Sequence, residues 1–154
     1  MHITQLFGRK KAVYSFEIFP PKPTADIAGI SQAVERLSRL GPDYISVTCS
    51  AGGSGNSRTA EIAKLVRACG IEPLAHVTCI NSTKNEVRAT LEELNADGIQ
   101  NVLALRGDRV EGKQKADFSY ASELVSFIKE TGLPFDIGGA CYPECHPECA
   151  DILT

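Results

Sequence analysis

Apolar runs with strand character recur at near-constant spacing: "YSFEIF" (14–19), "YISVTC" (44–49), "LAHVTCI" (74–80), "NVLALR" (101–106) and "FDIGGAC" (135–141). Their starts lie 30, 30, 27 and 34 residues apart. Helix-period stripes fill the gaps. Ile27, Ile30, Val34, Leu37 and Leu40 share one helical face before Gly41-Pro42. Ile62, Leu65, Val66 and Cys69 make a second stripe, closed by Gly70. Thr83 and Glu86 fit a capping box ahead of Val87, Leu91 and Leu94, with Gly98 as the stop. Leu124, Val125, Phe127 and Ile128 make a fourth stripe, ended by Gly132. Strand–helix alternation with this repeat predicts an α/β fold, right-handed crossovers and a parallel sheet. Two architectures meet that description: an open doubly wound sheet and a (β/α)8 barrel. A barrel typically needs about 250 residues. The chain has 154, so length alone favours the open sheet.

In either architecture, chemistry gathers at the carboxyl ends of the strands, and there the apolar pattern is interrupted by polar residues. Glu17 lies within the first run and Thr48 near the end of the second. His76 and Thr78 lie in the third, Arg106-Gly107-Asp108 closes the fourth, and Tyr142, Glu144 and His146 follow the fifth. Singly, each has an ordinary explanation. A strand carboxylate often faces solvent, a strand histidine is often a satisfied core residue, and Arg-Gly-Asp is a common turn. Against solvent exposure of Glu17 stand Phe16 and Ile18, which cannot both face water on a one-sided sheet. In a closed barrel alternate residues point inward, and Glu17 would share that interior with His76. The loop "SAGGSGNSR" after the second run has neither glycine-loop spacing used for phosphates. Candidate groups at five successive strand ends are more than solubility requires.

Composition narrows the class. Hydrophobic residues make up 43% and charged residues 23%, as in globular domains. A net charge of −3 provides no broad basic field for nucleic acid. No apolar run reaches the roughly 20 residues that cross a bilayer, and "MHITQLFGRKK" lacks the apolar core of a signal peptide. Six cysteines without such a signal are expected to be free thiols in a reducing compartment, so a cytoplasmic location is expected.

Read together, "SFEIFPPK", "SVTCSAGGS", "AHVTC", "LALRGD", "YAS" and "ACYPECHPE" occur in an order and spacing that resembles the methylenetetrahydrofolate reductase family, from Tyr14 to about Glu148. The resemblance implies a (β/α)8 TIM-type barrel. The chain, a single domain over residues 1–154, would then supply roughly its first five β/α units as a partial barrel. It implies FAD as cofactor, and ping-pong transfer of a hydride from NAD(P)H through FAD to 5,10-methylenetetrahydrofolate, giving 5-methyltetrahydrofolate. Glu17 matches the family's general acid, whose carboxyl stays protonated when a barrel interior desolvates it. Asp108 matches an aspartate near both the flavin and the folate. Thr48, Ala51, His76, Arg106, Gly107, Tyr120, Ala121, Tyr142 and His146 match positions that line or contact FAD, Asp108 being counted with them. With Glu17 and Asp108, Tyr142 also matches a position beside the substrate.

The chain departs from the family pattern in two ways. The segments that hold the rest of FAD and the folate are expected beyond Thr154, and Cys145 and Cys149 flank His146 where small or apolar residues are usual. Cys141, Cys145, Cys149 and His146 superficially resemble a metal-ligand set. All their cysteine gaps are three residues, Pro143 and Pro147 interrupt helix, and zinc sites favour two- or four-residue gaps, so no metal is expected. Five strands would leave two edges and an apolar interior to cover. A homo-oligomer or a partner subunit is therefore expected, and the alternative to an enzyme is a truncated, catalytically incomplete half-barrel that binds flavin weakly or associates through those edges.

Overall fold

A computed structural model of the chain describes residues 1–21, 27–49, 55–109, 117–145 and 149. Each expected strand forms within two residues of its expected bounds: β1 (Ser15–Ile18), β2 (Tyr44–Val47), β3 (Glu72–Thr78), β4 (Asn101–Leu105) and β5 (Asp136–Gly139). They make one parallel sheet in the order β1-β2-β3-β4-β5. No strand order reverses among the described residues, so the sheet lacks the switch point of a doubly wound fold. β3 starts two residues before its apolar run because Glu72 and Pro73 extend the ladder opposite Tyr44 and Ile45.

The four expected helices are present. They are α2 (Ala28–Ser38), α3 (Gly55–Ala68), α4 (Lys84–Ala96) and α5 (Ala121–Glu130). The Thr83–Glu86 capping box closes in both directions: Thr83 Oγ1 accepts the Glu86 N–H at 3.3 Å, and Glu86 Oε2 accepts the Thr83 N–H at 2.7 Å. None of the described helices is long and apolar enough to cross a membrane.

A short helix before β1, α1 (Thr4–Arg9), is not visible in the apolar pattern. Distant contacts hold it. Asn101 Oδ1 accepts the Ile3 N–H and Asp136 Oδ2 accepts the Thr4 N–H, both at 2.8 Å. These carboxyl and amide groups start β4 and β5, so α1 lies across the amino ends of the strands with Ile3 and Leu6 buried.

Strand alternation divides the sheet into two unlike faces. Ile18, Ile45, Val47, Ala75, Val77, Val102 and Ala104 face the helices, where they meet Val34, Ile62, Val66, Val87, Leu91, Leu124 and Ile128 in the core. The opposite face carries Glu17 beside Ser46, and His76 beside Leu103. There Leu74, Thr78, Leu103 and Leu105 are only half-buried. The chemistry therefore sits on the face that no helix covers among the described residues.

Candidate active site

Three neighbouring strands bring Glu17, Ser46 and His76 together. Ser46 Oγ lies 2.6 Å from His76 Nε2 and 3.4 Å from Glu17 Oε2, and His76 Nε2 lies 3.6 Å from the same carboxylate oxygen. Glu17 and Ser46 are register partners in β1 and β2, and alternation puts His76 of β3 on the same face. Burial lowers the His76 pKa from the ordinary histidine value, and the nearby Glu17 charge, which acts the other way, is too weak to reverse it. The imidazole is therefore neutral at neutral pH, and its contact with Glu17 is not an ion pair.

Glu17 and His76 share one face of the sheet, but the expected desolvation of Glu17 is not present. Its side chain is 48% exposed, against 8% for His76. The physical reason is its place on β1, whose outer edge has no strand neighbour among the described residues.

At the carboxyl ends of β4 and β5 is a cavity of about 340 Å³. Six of the expected site residues line it: Arg106, Gly107, Asp108, Tyr120, Ala121 and Tyr142. They come from three separate loops, and Ala104, Leu105 and Ala140 complete the wall. Hydrogen bonds from the preceding loop fix the Arg106–Asp108 turn. The Cys79 and Ile80 N–H groups both donate to the Arg106 carbonyl, at 3.2 and 2.9 Å. Asn81 Nδ2 donates to the Asp108 carbonyl at 2.6 Å. On the other wall, Glu123 accepts the N–H groups of Ser119 and Tyr120 at 2.5 and 3.1 Å, which holds its carboxyl below the usual range and fixes the backbone that carries Tyr120. Beneath these loops the buried Cys79 thiol is pushed up to about 11, chiefly by desolvation and then by Glu123, so it is no nucleophile at neutral pH.

The cavity has the makings of a small-molecule site. Its volume falls within the roughly 300–1,000 Å³ of small-molecule sites. Exposed Tyr120 and Tyr142 offer aromatic faces, small alanines leave room for a flat ring, and Arg106 with Asp108 offers polar partners. Thr48 lies just above the Glu17 cluster, at the end of β2. Its N–H donates to the Ile18 carbonyl, and its own carbonyl accepts the Thr59 hydroxyl at 2.9 Å. The expected residues thus form two groups, one on β1–β3 and one above β4–β5. Thr78 stands between them, above His76 on the uncovered face of β3 and against Gly107. Ala51 and His146 lie outside the described residues. Among those described, no His, Cys, Asp and Glu cluster is arranged to hold a metal ion. Two contributors are absent from the sequence reading, Ser46 and Asn81. Ser46 was detectable only by carrying the alternation of Glu17 and His76 onto β2. Asn81 had no local signal.

The family model described as methylenetetrahydrofolate reductase matches residues 2–154. The chain is 40% identical over 145 residues to the 5,10-methylenetetrahydrofolate reductase of Escherichia coli (strain K12), covering 91% of this chain and 48% of that protein. It is 36% identical over 153 residues to the methylenetetrahydrofolate reductase (NADH) 1 of Zea mays, covering 95% of this chain and 26% of that one. The chain therefore spans about half the length of the bacterial relative and about a quarter of the plant one. Among solved structures, a rubisco-like protein from Burkholderia fungorum is similar in fold alone, with a TM-score of 0.53 at 14% identity over 88% of this chain and 32% of that chain.

Proposed function

The chain belongs to the methylenetetrahydrofolate reductase family, and from that premise we propose that its uncovered sheet face and β4–β5 cavity take part in the reduction of 5,10-methylenetetrahydrofolate to 5-methyltetrahydrofolate by NAD(P)H. FAD, when bound, supplies the two-electron relay that lets donor and folate use one site in ping-pong order. The observation that carries this reading is the convergence of Arg106–Asp108, Tyr120–Ala121 and Tyr142 on one cavity above the strand ends. The unreversed strand order supports taking the sheet as the first five strands of a (β/α)8 barrel.

The expected site residues divide the work in this proposal. Arg106, Gly107, Asp108, Tyr120, Ala121 and Tyr142 hold the ring system of the flavin, with Thr48 and His76 on the β2–β3 side and Ala51 and His146 completing the set. Glu17 delivers a proton to the folate amine nitrogen as the methylene bridge opens. Asp108 places negative charge beside the cationic iminium form of the folate.

A second reading is favoured by the partial exposure of Leu74, Leu103 and Leu105 on the uncovered sheet face. Here the chain is a catalytically incomplete half-barrel that self-associates. One anaerobic experiment separates the two. The chain is mixed with FAD, then with NADH or NADPH, then with 5,10-methylenetetrahydrofolate. Bleaching of protein-bound flavin followed by recovery on adding folate supports the reductase. Glu17→Gln should then block recovery while leaving bleaching intact. Absence of bound flavin, together with concentration-dependent association in sedimentation, supports the half-barrel.

A further inference from the structure

Ser46 has no part in the reading above, yet it is buried at the centre of the cluster, with two polar neighbours and one hydrogen to give. A serine hydroxyl donates once and accepts up to twice, whereas an ionised carboxylate only accepts. When Glu17 is ionised, the 3.4 Å contact with Oε2 is a hydrogen bond only if Ser46 donates it. The 2.6 Å contact with His76 must then be donated by the ring, from Nε2–H to Ser46 Oγ. That leaves Nδ1 as the ring's acceptor.

We propose that Ser46 is a positioning residue: its hydroxyl locks His76 in the tautomer protonated at Nε2 and joins it to Glu17 in one directed hydrogen-bond chain, His76 to Ser46 to Glu17. Two further observations support this. His76 is neutral because burial disfavours its charged form, so it has a tautomer to choose. Its side chain is 8% exposed, so bulk water cannot readily replace a lost partner. The catalytic consequence rests on the reading of Glu17 as proton donor. As Glu17 gives its proton to the folate nitrogen it becomes a carboxylate, the state to which Ser46 donates. The chain thus stabilises Glu17 more as the proton leaves than before, and such a differential interaction lowers a barrier.

The test is a long-range proton–nitrogen NMR correlation on the 15N-labelled 154-residue chain at neutral pH. The sequence has three histidines, and His76→Gln identifies the His76 signals by their disappearance. With Glu17 as a carboxylate, the wild-type ring is expected to show the pattern of a neutral imidazole protonated at Nε2. Ser46→Ala is expected to move both ring nitrogens toward averaged values, and Ser46→Thr, which keeps the hydroxyl, to restore them. A wild-type ring protonated at Nδ1 overturns the proposal, as do ring nitrogens unmoved in Ser46→Ala. If Ser46→Ala fails to fold, the wild-type tautomer decides. In flavin-loaded chain, Ser46→Ala should slow folate-dependent recovery about tenfold while sparing bleaching by NAD(P)H. Equal slowing of both steps overturns the positioning role. Absence of any turnover in wild type counts against the proposed reaction, not against the tautomer lock, which the NMR result decides alone.

Discussion

The backbone of Gly107 lies against the side chain of Thr78 so closely that a β-carbon added at Gly107 would stand 3.1 Å from Thr78 Cβ. Gly107 also has a left-handed φ of 79°. The turn carrying Arg106 and Asp108 is therefore pressed onto β3 in a conformation only glycine adopts readily. The Cβ of Thr78 is fixed by its own backbone and cannot swing aside. Gly107→Ala should cost about 1–2 kcal/mol from the left-handed strain, with a further penalty for the contact, and should displace the cavity wall. Gly41 has a similar φ of 66° with nothing within 4 Å of the added carbon. Gly41→Ala should thus show the strain cost alone and leave ligand binding unchanged. Urea denaturation and flavin titration of the two variants side by side check both statements.

Asn101 ties the amino end of the chain to the sheet. It is 1% exposed, accepts the Ile3 N–H at 2.8 Å, and donates toward the carbonyls of Met1 and Pro73 at 3.1 and 3.4 Å. Asn101→Ala leaves the buried Ile3 N–H without this acceptor, and an orphaned buried donor costs about 1–3 kcal/mol. Chemical denaturation should show that loss. Hydrogen exchange should show α1 opening before the strands, because its support comes from residues about a hundred positions away rather than from its own turn.

His76 gives stability a pH dependence with a definite sign. Its pKa in the folded chain is below the ordinary value, so the unfolded chain binds the proton more readily. The contribution is fully present above the unfolded value of about 6.5 and is lost as pH falls from there through the folded pKa. Asp43 and Glu123 act in a lower window. The carboxyl of Asp43 is held down by the Lys10 ammonium and then the Tyr14 N–H, and that of Glu123 by the Ser119 and Tyr120 N–H groups. Their contributions are present above the ordinary carboxylate range and are lost as pH falls below it. Urea midpoints measured from about pH 7.5 down to about pH 5.5 should therefore decline in the wild type and stay nearly flat in His76→Gln. A wild-type profile that rises on acidification would contradict the burial of a neutral imidazole.

Much of this fold was legible because its signals are local and periodic. The five apolar runs became the five strands, and Thr83 and Glu86 became a closed capping box. α1 was not legible: its N–H groups are satisfied by Asn101 and Asp136, which no window around "TQLFGR" contains. Alternation anticipated that Glu17 and His76 share a face. The exposure of Glu17 was not anticipated, because it depends on what lies beside β1 rather than on β1 itself. Ser46 carried no signal as an isolated strand serine and acquired one only through register. Of the β4–β5 cavity, Arg106–Asp108 and Tyr142 were legible as polar groups at strand ends, whereas Tyr120 and Ala121 were legible through family resemblance alone.

The central claim is that the cavity above β4 and β5 holds the flavin ring. It is tested most directly by titrating FAD into the chain, following flavin fluorescence and absorbance, in wild type and in Tyr142→Ala, Asp108→Asn and Lys84→Ala. Lys84 lines a separate cavity beside Phe118 and Phe127 and serves as the control. The account predicts saturable binding that Tyr142→Ala weakens by about 2- to 12-fold, the loss of one aromatic stacking contact. Asp108→Asn should change the flavin spectrum, and Lys84→Ala should change neither. Binding that is absent, or that is indifferent to Tyr142 and Asp108 while sensitive to Lys84, would contradict it.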